Sequence, residues 1–136
     1  PVRTAELKAA LQRASKEMKR PISATALANL NELAKAGDPE IVSELVALFA
    51  ESTPPLLAKA RLALEDSTQL KIIAHTIKGS CSNFGATRME TLCHELENMG
   101  GEDASERSRV LLTAIDREYV KVQGALDDFC ATALLP

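Results

Sequence analysis

The chain has 136 residues, 46% of them hydrophobic but only 3% aromatic, with no tryptophan. It is long enough for one domain with a real core, filled mainly by Leu, Ala, Ile, Val and Met, and that composition favours packed helices. A net charge of −3 with histidine neutral, and no Lys/Arg cluster or aromatic ladder, excludes the footprint of a nucleic-acid binder. No apolar run approaches the roughly 20 residues that span a bilayer, and no signal peptide opens the chain, so no membrane contact is expected. Three cysteines, Cys81, Cys93 and Cys130, lack zinc-type spacing and read as reduced thiols in a cytoplasmic protein.

Apolar spacings of three and four recur from end to end, and strand alternation is nearly absent. Residues 3–18 place Leu7, Ala10, Leu11, Ala14 and Met18 on one stripe, which Arg20-Pro21 interrupts. Ser23 is a plausible cap for a helix with Leu27, Leu30, Leu33 and Ala34 inward, closed by Gly37. Asp38-Pro39 restarts the chain, and the helix to about 52 is predicted to bury Ile41, Leu45, Leu48 and Phe49. Thr53-Pro54-Pro55 repeats the cap-and-proline signal and predicts a separate helix to about 65, with Leu57, Ala60 and Leu64 inward. Asp66-Ser67 marks a turn.

Residues 68–83 carry the most regular pattern: Leu70, Ile73, Ala74, Ile77, Cys81 and Phe84. Gly85 ends it. Ala86-Thr87 opens a helix to about 99 with Met89, Leu92, Cys93, Leu96 and Met99, and the loop from Gly100 through Glu102 and Asp103 reads as an acidic linker. The last helix, about 104–132, places Leu111, Ile115, Val122, Leu126 and Phe129 on one side. Short links between the central helices imply antiparallel neighbours. The expected fold is all-α: an antiparallel four-helix bundle over residues 22–132, with additional N-terminal helices and an extension or linker helix at 1–21.

On the helix at 68–83, the core positions fall within an arc of about 100°. His75, Lys78, Gly79 and Ser82 form a second strip at i, i+3, i+4, i+7, which predicts an exposed histidine. A glycine inside a helix costs about 1 kcal/mol relative to alanine, and no turn or cap explains Gly79. Helical side chains lean toward the N-terminus, so a side chain at 79 would lie over the turn carrying His75. The glycine keeps that space open, and Ser82 is small enough to leave it clear. Lys78, one turn from His75, can reach the oxygens of an anionic group on the imidazole. A neutral imidazole, a nearby cation and room for an incoming group are sufficient for phosphoryl transfer, which depends mainly on positioning and charge stabilisation. An exposed His and Lys on a solvated face is the plain alternative. His94 is expected to lie on the flank of its helix without a chemical role. A zinc site from His75, Cys81, Cys93 and His94 would need ligands pointing in divergent directions.

The stretch AHTIKGSCSNFGATRMETLCHELE, residues 74–97, resembles the signature of histidine-containing phosphotransfer (HPt) domains. His75, Ile77, Lys78, Gly79, Ser80, Phe84, Gly85, Ala86, Met89, Cys93, Leu96 and Glu97 fall in register. The resemblance covers about residues 24–128. It implies a phosphorelay intermediate that accepts a phosphoryl group on His75, through Nε2, from the aspartyl phosphate of a receiver domain and passes it to another receiver. Lys78 would contact the phosphoryl oxygens, and Gly79 would admit the receiver. Such a chain is a phosphocarrier without kinase activity of its own and without a permanently bound cofactor or metal, Mg²⁺ being supplied by the partner. The receiver-binding surface is expected around His75, with Ile72, Ser82 and Asn83, and Arg88 either presents charge to a partner or is simply solvated. A monomer is expected. The opening Pro1, together with the unmatched first 20 or so residues, favours a fragment of a hybrid sensor kinase over a free-standing relay protein. The other readings are a phosphoacceptor domain of a chemotaxis-type kinase, and a receiver-binding helical module that does not transfer phosphate.

Overall fold

The computed structural model describes residues 4–9, 20–37, 39–101 and 104–133. Residues 4–9 are helical, with Leu7 61% exposed; Ala10, Leu11, Ala14 and Met18 lie outside the described residues, as do Asp38, Glu102 and Asp103. Five further helices follow: α1 (Ala24–Ala36), α2 (Pro39–Leu62), α3 (Ser67–Phe84), α4 (Thr87–Glu97) and α5 (Ala104–Ala133). Among the described residues there is no strand. Helices α2 to α5 form the bundle, each packed on the next and α5 returning to α2, while α1 rests on α2 and α3.

The helix ends follow local chemistry. The Ser23 hydroxyl accepts the Ala26 N–H at 3.1 Å and starts α1, and the Gly37 N–H donates to the Leu33 carbonyl and ends it. Asp66 caps α3 by accepting the Gln69 N–H at 3.1 Å, so these side chains satisfy amides that the helix itself leaves without partners. Gly85 ends α3 in the left-handed conformation, φ 63° and ψ 31°, which costs a residue with a Cβ about 1–2 kcal/mol. A Cβ there would also stand 2.3 Å from Ala26 Cβ. The Gly85 carbonyl accepts the Ser23 N–H at 3.2 Å, so one glycine both turns α3 into α4 and seats α1. Helix α4 stops at Glu97, with Asn98 at its C-terminus, leaving Met99 beyond the helix.

Three expectations are corrected in α2. It is one helix of 24 residues running through Pro54 and Pro55, not two. The prolines withhold N–H donors from the carbonyls of Ala50 and Glu51, but both prolines lie on the solvent side, where water can serve those carbonyls. The buried stripe continues without a break through Phe49, Thr53, Leu57 and Ala60. The inward face is also shifted by one residue: Val42 and Val46 are buried with Phe49, whereas Ile41, Leu45 and Leu48 are 45%, 40% and 60% exposed. Both faces are apolar, and contact with α3 and α5 selects the β-branched one. Finally, the best 18-residue window of α2 has a mean hydropathy of 1.3, so by length and composition alone this helix could cross a bilayer.

Smaller shifts of the same kind occur elsewhere. Leu33 is 42% exposed, and in α5 Leu112 is buried while Leu111 is only partly so. The α3 stripe matches its predicted residues, with Leu70, Ile73, Ala74, Ile77, Cys81 and Phe84 all buried; of the α4 stripe, Met89, Cys93 and Leu96 are buried, while Leu92 and Met99 are only partly so. At the centre, the Phe49 ring lies 5.3 Å from Phe84 and 5.5 Å from Tyr119, both tilted, a favoured arrangement for aromatic pairs.

Candidate functional site

Helices α3 and α4 are antiparallel and joined by only Gly85 and Ala86. Residues equally far from such a turn stand side by side. His75 lies nine residues before the end of α3 and Glu97 ten residues after the start of α4, which brings them to the same height. His75 Nδ1 is 2.8 Å from Glu97 Oε1, and Lys78 Nζ donates to Glu97 Oε2 at 2.5 Å. One carboxylate thus holds both residues. Lower on the same seam, the Ser82 hydroxyl donates to Glu90 Oε1 at 2.9 Å.

Burial divides this network. The His75 side chain is 70% exposed, whereas Lys78 and Glu97 are 23% and 22% exposed. The helical wheel's exposed histidine is therefore observed, but its cation is half-buried and ion-paired. The Lys78 ammonium, and behind it His75, hold the Glu97 carboxyl below the usual carboxylate range, with partial burial working the other way. The anionic carboxylate only accepts, so the neutral ring must present Nδ1–H to it, which leaves the Nε2 lone pair directed outward.

Gly79 is the open position on this strip: a Cβ placed there meets nothing within 4 Å. On one flank, Leu56, Leu62, Ile72, Ile73 and Thr76 line a shallow cleft of about 340 Å³ between α2 and α3. Its rim carries uncovered apolar side chains, Leu62 91% and Ile72 55% exposed, beside Lys59 and Gln69. Asn83 lies toward the other end of α3, lining a cleft of about 370 Å³ with Ser82 and the α1 residues Thr25, Asn29 and Leu33.

Arg88 is placed apart from His75, near the start of α4, where its Nε stands 3.6 Å from Glu118 Oε2. Glu118 is only 3% exposed, and its Oε1 has no hydrogen-bond partner among the described residues. His94 is exposed and in contact with Asn98. Cys81 and Cys93 are both buried; a hydrogen bond that the Cys81 thiol makes to Cys93, and then burial, push that thiol up. Among the described residues no three His, Cys, Asp or Glu side chains converge as a metal site would require.

Two residues of this arrangement were not assigned from the sequence. Glu97 is in register with the family signature but carries no role there; its distance from the α3–α4 turn, within about a residue of that of His75, is the available signal. Glu118 interrupts an apolar stripe with a charge, and nothing local marks it as buried.

Comparison with known proteins shows the family. Residues 44–130 match the model of the Hpt domain family. Histidine-containing phosphotransfer protein 2 of Arabidopsis thaliana is 32% identical over 104 residues, covering 73% of this chain and 67% of that protein. The crystal structure of histidine-containing phosphotransfer protein B from Pseudomonas aeruginosa PAO1 superposes with a TM-score of 0.65 at 28% identity, over 81% of this chain and 94% of that one. ZmHP2 from maize superposes at 0.73 over 94% of both chains, with 18% identity, and so speaks for the fold alone. The chain belongs to the Hpt domain family. Its function class is that of a histidine-phosphotransfer intermediate acting between receiver domains of two-component phosphorelays.

Proposed function

We propose that Nε2 of His75 is the atom that carries the phosphoryl group. The observation that carries this reading is the hydrogen bond from Nδ1–H to Glu97 Oε1 at 2.8 Å, which fixes the tautomer and leaves Nε2 as a lone pair on a ring 70% exposed. Nε2 attacks phosphorus as the acyl-phosphate P–O bond of a receiver aspartyl phosphate breaks. The receiver keeps a carboxylate, and the Nδ1 proton stays on the ring, whose gained positive charge faces Glu97. Onward transfer is the reverse step with a second receiver. Lys78 neutralises the phosphoryl oxygens, and Gly79 leaves room for the receiver's active site. Mg²⁺ is supplied by the receiver, and the relay itself holds no resident cofactor.

The uncovered Ile72, one turn from His75, and Leu62 on the rim of the same cleft suit an apolar helix face of the receiver, with Ser82 and Asn83 extending the contact and Arg88 at its far edge. In this reading residues 22–132 form the phosphotransfer unit, residues 1–21 are an extension, and the unit acts as a cytoplasmic monomer.

The test is to mix the domain with phosphorylated receivers and Mg²⁺ and follow acid-labile, base-stable label. Label on the wild type and none on His75→Gln is the expected result; equal labelling of both would overturn the assignment.

A further inference from the structure

We infer that Glu97 competes with the phosphoryl group for Lys78 and thereby sets how readily the phosphorylated relay gives that group up. The inference rests on His75 being the phosphoryl carrier.

Each oxygen of Glu97 is engaged, Oε1 with His75 Nδ1 and Oε2 with Lys78 Nζ at 2.5 Å. The two contacts have different consequences. The first lies on the ring edge away from Nε2 and is compatible with a phosphoryl group there. The second occupies Lys78, the cation one turn after His75 on its strip, while Lys71 stands one turn before it. An ammonium this close to a carboxylate is largely neutralised by it. Lys78 must then either leave Glu97 or share its charge, and in both cases its hold on the phosphoryl oxygens is weakened.

The half-buried setting strengthens this competition. Lys78 and Glu97 are 23% and 22% exposed, so their pairing is screened less than a surface pair. The phosphoryl group would form on the 70% exposed ring, where water screens its attraction for Lys78 more strongly. The sheltered partner therefore holds an advantage over the exposed one. A relay has to release its cargo as well as accept it, and a carboxylate that retains the stabilising cation raises the energy of the loaded state by more than its contact with the charged ring lowers it.

Glu97→Gln keeps an acceptor for Nδ1–H but removes the charge facing both the loaded ring and Lys78, and comparison with the Lys78→Ala background isolates the second effect. At equilibrium with a phosphorylated receiver and Mg²⁺, the loaded fraction expressed as a ratio should rise by about threefold to fivefold, the scale of a partly exposed ion pair. The rise should vanish when Lys78→Ala is the background. No rise, or the same rise without Lys78, would overturn the inference, whereas absence of label on the wild type would overturn the phosphocarrier reading instead. A measurement on the unmodified sequence is independent of how the variants fold. The Lys78 ammonium resonance of ¹⁵N-lysine-labelled protein should shift on phosphorylation as the Glu97 contact loosens, and an unchanged resonance would also overturn it.

Discussion

Glu97 Oε1 stands 2.8 Å from His75 Nδ1 across the α3–α4 seam. This contact holds an otherwise exposed ring in one orientation and tautomer. Glu97→Ala removes the acceptor and lets the imidazole turn, so phosphoryl acceptance should slow by about tenfold, the scale of one charge-assisted hydrogen bond. Single-turnover labelling measures it, and a rate equal to that of the wild type would exclude a positioning role.

The same carboxyl gives the fold a pH signature. Lys78, then His75, hold Glu97 below its ordinary range in the folded chain, so the native state favours the ionised form. The resulting stability is fully present above the unfolded carboxyl pKa of about 4.3 and is lost as pH falls through the lower folded value. The urea midpoint of the wild type relative to Glu97→Gln should therefore be steady near neutrality and narrow only in acid. A gap that widened in acid would reverse the sign assigned here.

Gly79 has open space at its missing Cβ, and its helix runs on without interruption to Phe84. Gly79→Ala should stabilise the fold by up to about 1 kcal/mol. Gly79→Leu should leave the bundle folded yet cut transfer by roughly tenfold or more, because its side chain extends over the His75 turn. Thermal unfolding and labelling together decide; unchanged transfer in the leucine variant would leave the glycine without a functional account.

Gly85 should behave oppositely. Its φ is 63°, and an added Cβ would meet Ala26 Cβ at 2.3 Å, so Gly85→Ala combines left-handed strain with overpacking and should cost roughly 2–4 kcal/mol. Denaturant unfolding reads the total, and amide exchange in α1 should report its undocking. Protection in α1 equal to that of the wild type would contradict the seating role.

Arg88 and Glu118 form an unequal pair, the guanidinium side chain 54% exposed and the carboxylate 3% exposed at 3.6 Å. Arg88→Ala leaves the buried charge alone and should cost about 2 kcal/mol, less than a fully buried pair because water reaches the arginine. Arg88→Ala combined with Glu118→Met should recover much of that loss. A double variant weaker than the single one would show that Glu118 has a further partner.

Much of the fold is legible locally. Ser23 and Gly85 mark helix ends through their own hydrogen bonding and backbone freedom, and the α3 stripe from Leu70 to Phe84 predicts the buried face residue by residue. The strip His75, Lys78, Gly79, Ser82 is equally local, since a 3.6-residue period fixes which side chains share a face. That period also sets the exposure of His75 and the open space at Gly79.

What a single helix cannot specify is which of two adjacent apolar stripes turns inward. In α2 the Ile41-Leu45-Leu48 and Val42-Val46-Phe49 stripes are both hydrophobic. The positions of α3 and α5 decide between them, and the continuous buried stripe carries α2 through Pro54 and Pro55. Contacts across the seam belong to the tertiary structure for the same reason. Glu97 reaches His75 and Lys78, and Glu118 enters the core beside Arg88, only because separate helices meet at those heights. Spacing along α3 sets the exposure of His75 and the open space at Gly79; the packing of α4 against α3 is what brings Glu97 to both the ring and the lysine.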